Sequence, residues 1–234
     1  MTPVSPIYSN MYSYLNNCKW VPNNKTSKPK EIDFQKDLPW VRSNVIATAL
    51  SEINELTFAP EDIRYVENMG IRLPFKSGKE CVDFIKKENI RLYFAKPFER
   101  DVHAQYSFDQ NAIMINKRYQ KTNDFAVMLA IGEAILHEAG HAKDKDGQSS
   151  IQEELNFLGM NAVAHRAFIK KYGKVFSNST APIVEDGVSI YAKLFFDPDP
   201  DKKQLIARMK QKYGDLPSGD RLHPPGEIAR AVLQ

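Results

Sequence analysis

Cysteine is scarce in this chain: Cys18 and Cys81 are the only two in 234 residues, and they stand far apart and in no metal-ligand spacing. They supply neither a disulfide framework nor a cysteine-rich zinc site, and isolated thiols are the usual picture of a reducing compartment. Long apolar runs are also missing. The most apolar stretch, residues 125–142, is broken by Glu133, His137, Glu138 and His141, so no membrane span is expected. Met1-Thr2-Pro3-Val4 begins no basic segment followed by an apolar run. A cytoplasmic location is therefore expected, with export as an effector by a non-classical route left open. Charge of one sign is lacking as well: 32 Lys and Arg against 29 Asp and Glu give +3. No Lys/Arg stripe carries interleaved aromatics, so no nucleic-acid partner is expected.

What is present describes a folded protein. A 42% hydrophobic and 26% charged composition over 234 residues excludes collagen-like and largely disordered classes and suits one domain with a sizeable core. Residues 1–38 show no clean period and read as an irregular arm, with Tyr8, Tyr12, Tyr14 and Trp20 available for packing. Residues 39–234 read as one domain. Val41, Val45, Ile46, Leu50, Ile53 and Leu56 recur at helical spacing. Shorter helices are predicted over 60–69 and 79–88. The period then falls to two: strands are predicted at 90–94, 103–108 and 112–116, the last two joined as a hairpin by Asp109-Gln110-Asn111. Helices follow over about 124–143, 150–172, 182–196 and 201–213, and a last one near Pro224-Pro225. The class is α+β, with a small antiparallel or mixed sheet and a helical C-terminal half.

One pentapeptide stands above this background: His137-Glu138-Ala139-Gly140-His141, an H-E-x-x-H pattern inside a predicted helix. Helical residues four apart lie one turn above each other, so both imidazoles can reach one ion. Glu138 sits one residue round from His137, beside such an ion, where a base must stand to take a proton from an attacking water. Gly140 removes a side chain between the histidines and permits close approach of another segment. The bland reading is an exposed helix with two unrelated histidines.

Two histidines need a third protein donor to make a catalytic zinc site. No third His follows at the H-E-x-x-H-x-x-G-x-x-H spacing. In the next helix Ile151, Leu155, Leu158 and Ala162 define the inward face, and Glu154, Asn161 and His165 run along its edge. Glu154 is therefore the expected third ligand, with Glu153 and Glu185 as alternatives. Ser150 and Glu153 have capping-box spacing, which gives Glu153 a local task at the helix start. Asn161 and His165 are either groups that orient the ligands or satisfied core polar residues. His103 reads as a surface histidine or a group that meets substrate, and Asp144 and Asp146 as a solvated turn.

With these residues in hand, the chain resembles the zincin metallopeptidases whose third ligand is a glutamate. The resemblance covers about residues 90–230 and rests on the hairpin, on 135–141 and on 150–166. The tail from Leu222 to Arg230, opening with His223-Pro224, also looks like the tails of some such peptidases, including the heat-shock membrane protease family and certain phage-exclusion peptidases. Those families usually place an acid four residues after the ligand glutamate; here Leu158 follows Glu154 and Phe157 follows Glu153. The resemblance implies a zincin-like fold in which an edge strand, expected at 103–108, binds an extended peptide above the zinc helix. It implies one Zn2+ per chain on His137, His141 and Glu154, Glu138 as general base, and hydrolysis of peptide bonds in a protein or peptide substrate. Tyr191 and His223 are candidate donors to the oxyanion. Two other readings are kept: a zinc-stabilised regulatory or binding module without turnover, and a peptidase-type toxin or effector acting on a host protein.

Overall fold

The computed structural model describes residues 41, 43–96, 102–196 and 202–234, and the side chains of 186–189 lie outside the description. The expected arm at 1–38 also falls outside it, as does Cys18. All described residues belong to one compact unit, Asp33–Gln234. The architecture is mixed α and β.

Helix α1 (Asn44–Asn54) buries Val45, Ile46, Ala49, Leu50 and Ile53, five members of an apolar face at spacings of one, three and four. Helix α2 (Pro60–Asn68) starts on proline, whose missing N–H costs nothing in a first turn. Helix α3 (Gly78–Lys87) is capped by the Ser77 side chain and buries Cys81, which is a free thiol. Strands β1 (Arg91–Ala95), β2 (Ala104–Ser107) and β3 (Ala112–Asn116) make a sheet in the order β1-β3-β2. The hairpin expected from Asp109-Gln110-Asn111 is present: β2 and β3 are antiparallel, with Tyr106 opposite Ile113. Asn111 takes positive φ at the turn, which asparagine tolerates well. Strand β1 runs parallel to β3, leaving β2 on an edge.

Two long helices follow. Helix α4 (Phe125–Asp144) is capped by Asp124, and α5 (Ile151–Tyr172) by Ser150 with the full capping box. Lys145 in the left-handed region ends α4, and Gly173 at positive φ ends α5. Helix α4 is not exposed: Leu129, Ile131, Ile135, Leu136 and Ala139 are fully buried. In α5 every residue from Ile151 to His165 is buried, so the amphipathic edge drawn from its sequence lies inside the protein.

The helix expected at 182–196 is in two parts. A wide π-helical turn (Ile183–Val188) precedes α6 (Ser189–Phe196). Helix α7 covers Lys202–Tyr213. The last helix, α8 (Glu227–Val232), starts after the prolines rather than on them, because the segment before it is used to dock against α5. There Gly226 N–H donates to the Gln152 side chain at 2.8 Å, and Asn156 Nδ2 meets His223 Nδ1 at 2.9 Å. Among the described residues no helix is long and apolar enough to cross a membrane.

Candidate metal centre

The H-E-x-x-H segment occupies the last two turns of α4, beside the N-terminus of α5. One donor atom from each of His137, His141 and Glu154 lies within 4.8 Å of the others, so these three residues could hold a metal ion. Glu154 spans the pair: one oxygen is 3.3 Å from His137 Nε2 and the other 3.5 Å from His141 Nε2. The alternative donors are elsewhere. Glu185 is exposed and lies outside the cluster. Glu153 touches the far side of a ring, with Oε1 2.7 Å from His141 Nδ1.

That contact gives Glu153 two tasks where the sequence argument saw one. Its other oxygen accepts the Ser150 N–H at 3.3 Å and its own N–H donates to Ser150 Oγ at 3.2 Å, closing the capping box. The same carboxylate fixes the His141 ring so that Nε2 faces Glu154. A carboxylate on the remote nitrogen is the usual way to orient an imidazole ligand and raise its basicity.

Gly140 does what its position suggested. A Cβ there would lie 2.8 Å from Cδ1 of Phe157, so only glycine lets the ring come down on α4. Phe157 then stands edge-on to both imidazoles, with centroids 5.7 Å from His137 and 4.7 Å from His141. The rings are thus held by packing as well as by hydrogen bonds.

Proton affinities in the cluster are strongly shifted by its crowded charges. Burial pulls His141 down, but the Glu153 hydrogen bond and the charges of Glu138, Glu154 and Glu153 outweigh it and lift the imidazole to about 9. Burial pushes Glu154 up, yet the His137 hydrogen bond and the charges of His137, His141 and Lys212 hold it at about 2. Three carboxylates around two imidazoles make a place where protons or a metal ion must supply positive charge.

Glu138 stands beside the cluster, not in it. Its Oε2 accepts the Tyr106 N–H from β2 at 2.8 Å. Asn116 N–H donates to the His103 carbonyl at 2.9 Å, so the pair His103/Asn116 is hydrogen-bonded. The alternation of an antiparallel ladder then turns the backbone of Ala104 and Tyr106 away from β3 toward the outer edge of the sheet. The edge strand therefore faces the same cleft as the histidine pair. That cleft has a volume of about 390 Å3, and His103, Ala104 and Gln105 form one wall. His103 is neither isolated nor simply superficial: its Nδ1 meets Tyr119 Oη and Arg118 Nη2, each at 2.8 Å.

Of the two readings of His165, the satisfied core residue is the one observed: it pairs with Glu133 at 2.9 Å, both side chains being almost fully buried. Burial raises Glu133, and His165 opposes that rise. Asn161 lines the cleft and holds neither histidine of the motif. His223 is not at the cleft either, since its two nitrogens face Asn156 and Asp144. The Asp144 carboxylate is accordingly engaged, 3.1 Å from His223 Nε2, and is not simply part of a solvated turn. Tyr191 does line the cleft. Two residues that sequence reasoning missed join it from the end of α7. Tyr213 lines the cleft near Glu154, and burial and that neighbouring negative charge raise its phenol well above the usual value. Lys212 is lowered by desolvation, against the pull of Glu154 and Glu138. Both sit at an ordinary basic helix end, and no spacing in the sequence ties them to residues 137–154.

Against known proteins the chain matches no family model, no curated protein and no solved structure.

Proposed function

We propose that the protein is a zinc-dependent endopeptidase of zincin-like design, with His137, His141 and Glu154 as metal ligands and Glu138 as general base. The observation that carries this reading is the convergence on one cleft of three candidate metal donors, a further carboxylate and a strand with no second strand partner among the described residues. Nitrogen and oxygen donors of this kind suit zinc, and three protein ligands leave a position open, as catalytic rather than structural sites do. When bound, zinc supplies a Lewis acid that polarises a carbonyl and makes a water acidic near neutral pH.

The remaining steps belong to the chain itself. The outward backbone of β2 receives an extended peptide by strand addition, which lays a scissile bond across the cleft. Binding displaces the Tyr106 N–H from Glu138 and frees the carboxylate. Glu138 takes the proton of the attacking water and delivers it to the leaving amine. Tyr213 stands in the cleft as a hydroxyl donor toward the developing oxyanion, and Lys212 adds a positive charge.

The test is elemental analysis of the purified protein together with a Glu138→Gln variant assayed on a peptide library. About one zinc per chain is expected. The variant is expected to keep its zinc and lose activity by about 10² to 10⁴. A protein that binds no metal, with thermal stability indifferent to added zinc, contradicts the proposal; so does a variant that loses the metal.

A further inference from the structure

Two lysines that rest on an aromatic ring in this protein also hold a carboxylate. Lys143 Nζ lies 4.6 Å from the Phe75 ring centre and 3.3 Å from Glu80. Lys171 Nζ lies 4.9 Å from the Tyr172 ring centre and 3.0 Å from Glu52. Lys212 breaks the pattern. Its Nζ stands 5.0 Å from the Tyr213 ring centre and 5.9 Å from that of Tyr191, yet among the described residues it makes no ion pair and no hydrogen bond.

Lys212 lies in the last turn of α7 and lines the same cleft as the metal donors. The residue is exposed to solvent, so an incoming group reaches it. The protein around its ammonium nonetheless removes hydration and lowers its proton affinity, and the charge of Arg208, one turn earlier, adds to that. A cation held against rings and partly stripped of water gains from an anion placed beside it. Helix α7 supplies none, since Lys202–Tyr213 contains no Asp or Glu. The cleft itself has two carboxylates, Glu138 and Glu154, and neither pairs with Lys212. In the peptidase reading one is the base and the other a metal donor, so neither is spare. The missing counter-charge is left for a bound molecule to bring. A peptide brings one as a carboxylate, on an Asp or Glu side chain or at its C-terminus, and that group is acceptor-only and matches an ammonium. A cationic side chain at the same place meets the charges of Lys212 and Arg208.

We propose that Lys212 is a specificity-determining residue that pairs with a carboxylate of the peptide substrate close to the scissile bond. The proposal rests on the peptidase reading of the same cleft. It differs from a general contribution of charge to the oxyanion in what its loss does. Loss of oxyanion charge slows every peptide alike, whereas loss of a carboxylate site changes the ratio between peptides.

The experiment uses the zinc-loaded full chain and matched fluorescent peptides in which one position after another carries Glu, Gln or Lys, each made as free acid and as C-terminal amide. Binding is read by anisotropy on the Glu138→Gln chain, and cleavage by the wild type is read by mass spectrometry. At one position, or at the terminus, the carboxylate-bearing peptide is expected to bind about tenfold tighter than its neutral isostere, with the Lys peptide weakest and kcat/KM in the same order. Preference for Glu over Gln identifies a side-chain carboxylate; preference for acid over amide identifies the terminus. The ratio is expected to shrink as salt is raised. Lys212→Met is expected to erase it, Lys212→Arg to keep it, and Lys212→Glu to reverse it in favour of Lys peptides, all at wild-type zinc content. Peptides bound and cleaved without carboxylate preference, or a preference unmoved by Lys212→Met and Lys212→Glu, overturn this inference and leave the peptidase reading standing. A Lys212-dependent preference in binding with no cleavage by the zinc-loaded wild type overturns the peptidase reading and leaves the carboxylate site standing. Neither binding nor cleavage of any peptide overturns both.

Discussion

At the scale of single residues, the neighbours Glu153 and Glu154 carry most of the argument. Helical phase put Glu154 on the edge facing α4 and sent Glu153 round the other side. The first placement agrees with the structure, since Glu154 bridges the two imidazoles. The second treats a side chain as a point on a wheel. A glutamate at the third position of a helix can fold back over the N-terminus, and there Glu153 meets both Ser150 and His141. Glu154→Ala is expected to abolish tight zinc binding, because one of three donors is gone. Glu153→Ala is expected to do two things at once: lose about 0.5–2 kcal/mol of stability with the cap, and weaken zinc by about 10- to 100-fold as His141 loses its orienting carboxylate. Zinc titration and urea denaturation of the two variants separate these effects. If Glu153→Ala empties the site and Glu154→Ala leaves it filled, the two roles are exchanged.

At the scale of elements, the site depends on how closely α4 and α5 approach. Gly140 and Phe157 form that contact, and Gly159 repeats the device further along α5, where a Cβ would lie 2.6 Å from Ile71 Cγ2. Gly140→Ala adds one methyl group against an aromatic ring that has no flexible end to retract. The expected cost is about 1–3 kcal/mol of stability, as for other overpacked cores, with weaker zinc binding because Phe157 buttresses both imidazoles. A lowered unfolding midpoint with unchanged zinc affinity would show that the ring contact is purely structural. Helix boundaries were legible where a side chain signs them: Asp124 and Ser150 at the starts of α4 and α5, Gly173 after α5. They were not legible where long-range contacts decide. Pro224-Pro225 looks like a helix start, yet the Cβ-free face of Gly219 packs on Pro225, and Gly226 is spent on Gln152. The helix therefore begins only at Glu227.

At the scale of the whole molecule, the cluster couples folding, protons and metal. His141 is held at about 9, above its ordinary 6.5, so its stabilising contribution in the metal-free protein is complete below pH 6.5 and fades as pH rises through 9. Glu154 is held at about 2, below its ordinary 4.5, so its contribution is present above pH 4.5 and fades as pH falls through 2. The metal-free unfolding midpoint is expected to fall between pH 6.5 and 9 on account of His141. Zinc must displace that proton, so apparent zinc affinity is expected to rise over the same range by up to about tenfold per pH unit. Calorimetric titrations with zinc at several pH values check this, and a pH-independent affinity contradicts it. The sequence by itself determined what is local and periodic. It fixed the α+β class, the hairpin, the two long helices with their caps, and a histidine pair one turn apart with a carboxylate beside it. Those features follow from spacing along one element, and spacing along an element is written in the chain. Only the tertiary structure decided which distant groups meet. It brought Glu154 to both imidazoles, Tyr106 to Glu138, and Tyr213 and Lys212 to the cleft. It also withdrew His165 and His223 into pairs of their own. The physical reason is that hydrogen-bond partners and apolar faces are chosen by packing between elements. Residues such as Tyr213 and Lys212 carry no local sign of the cavity they share.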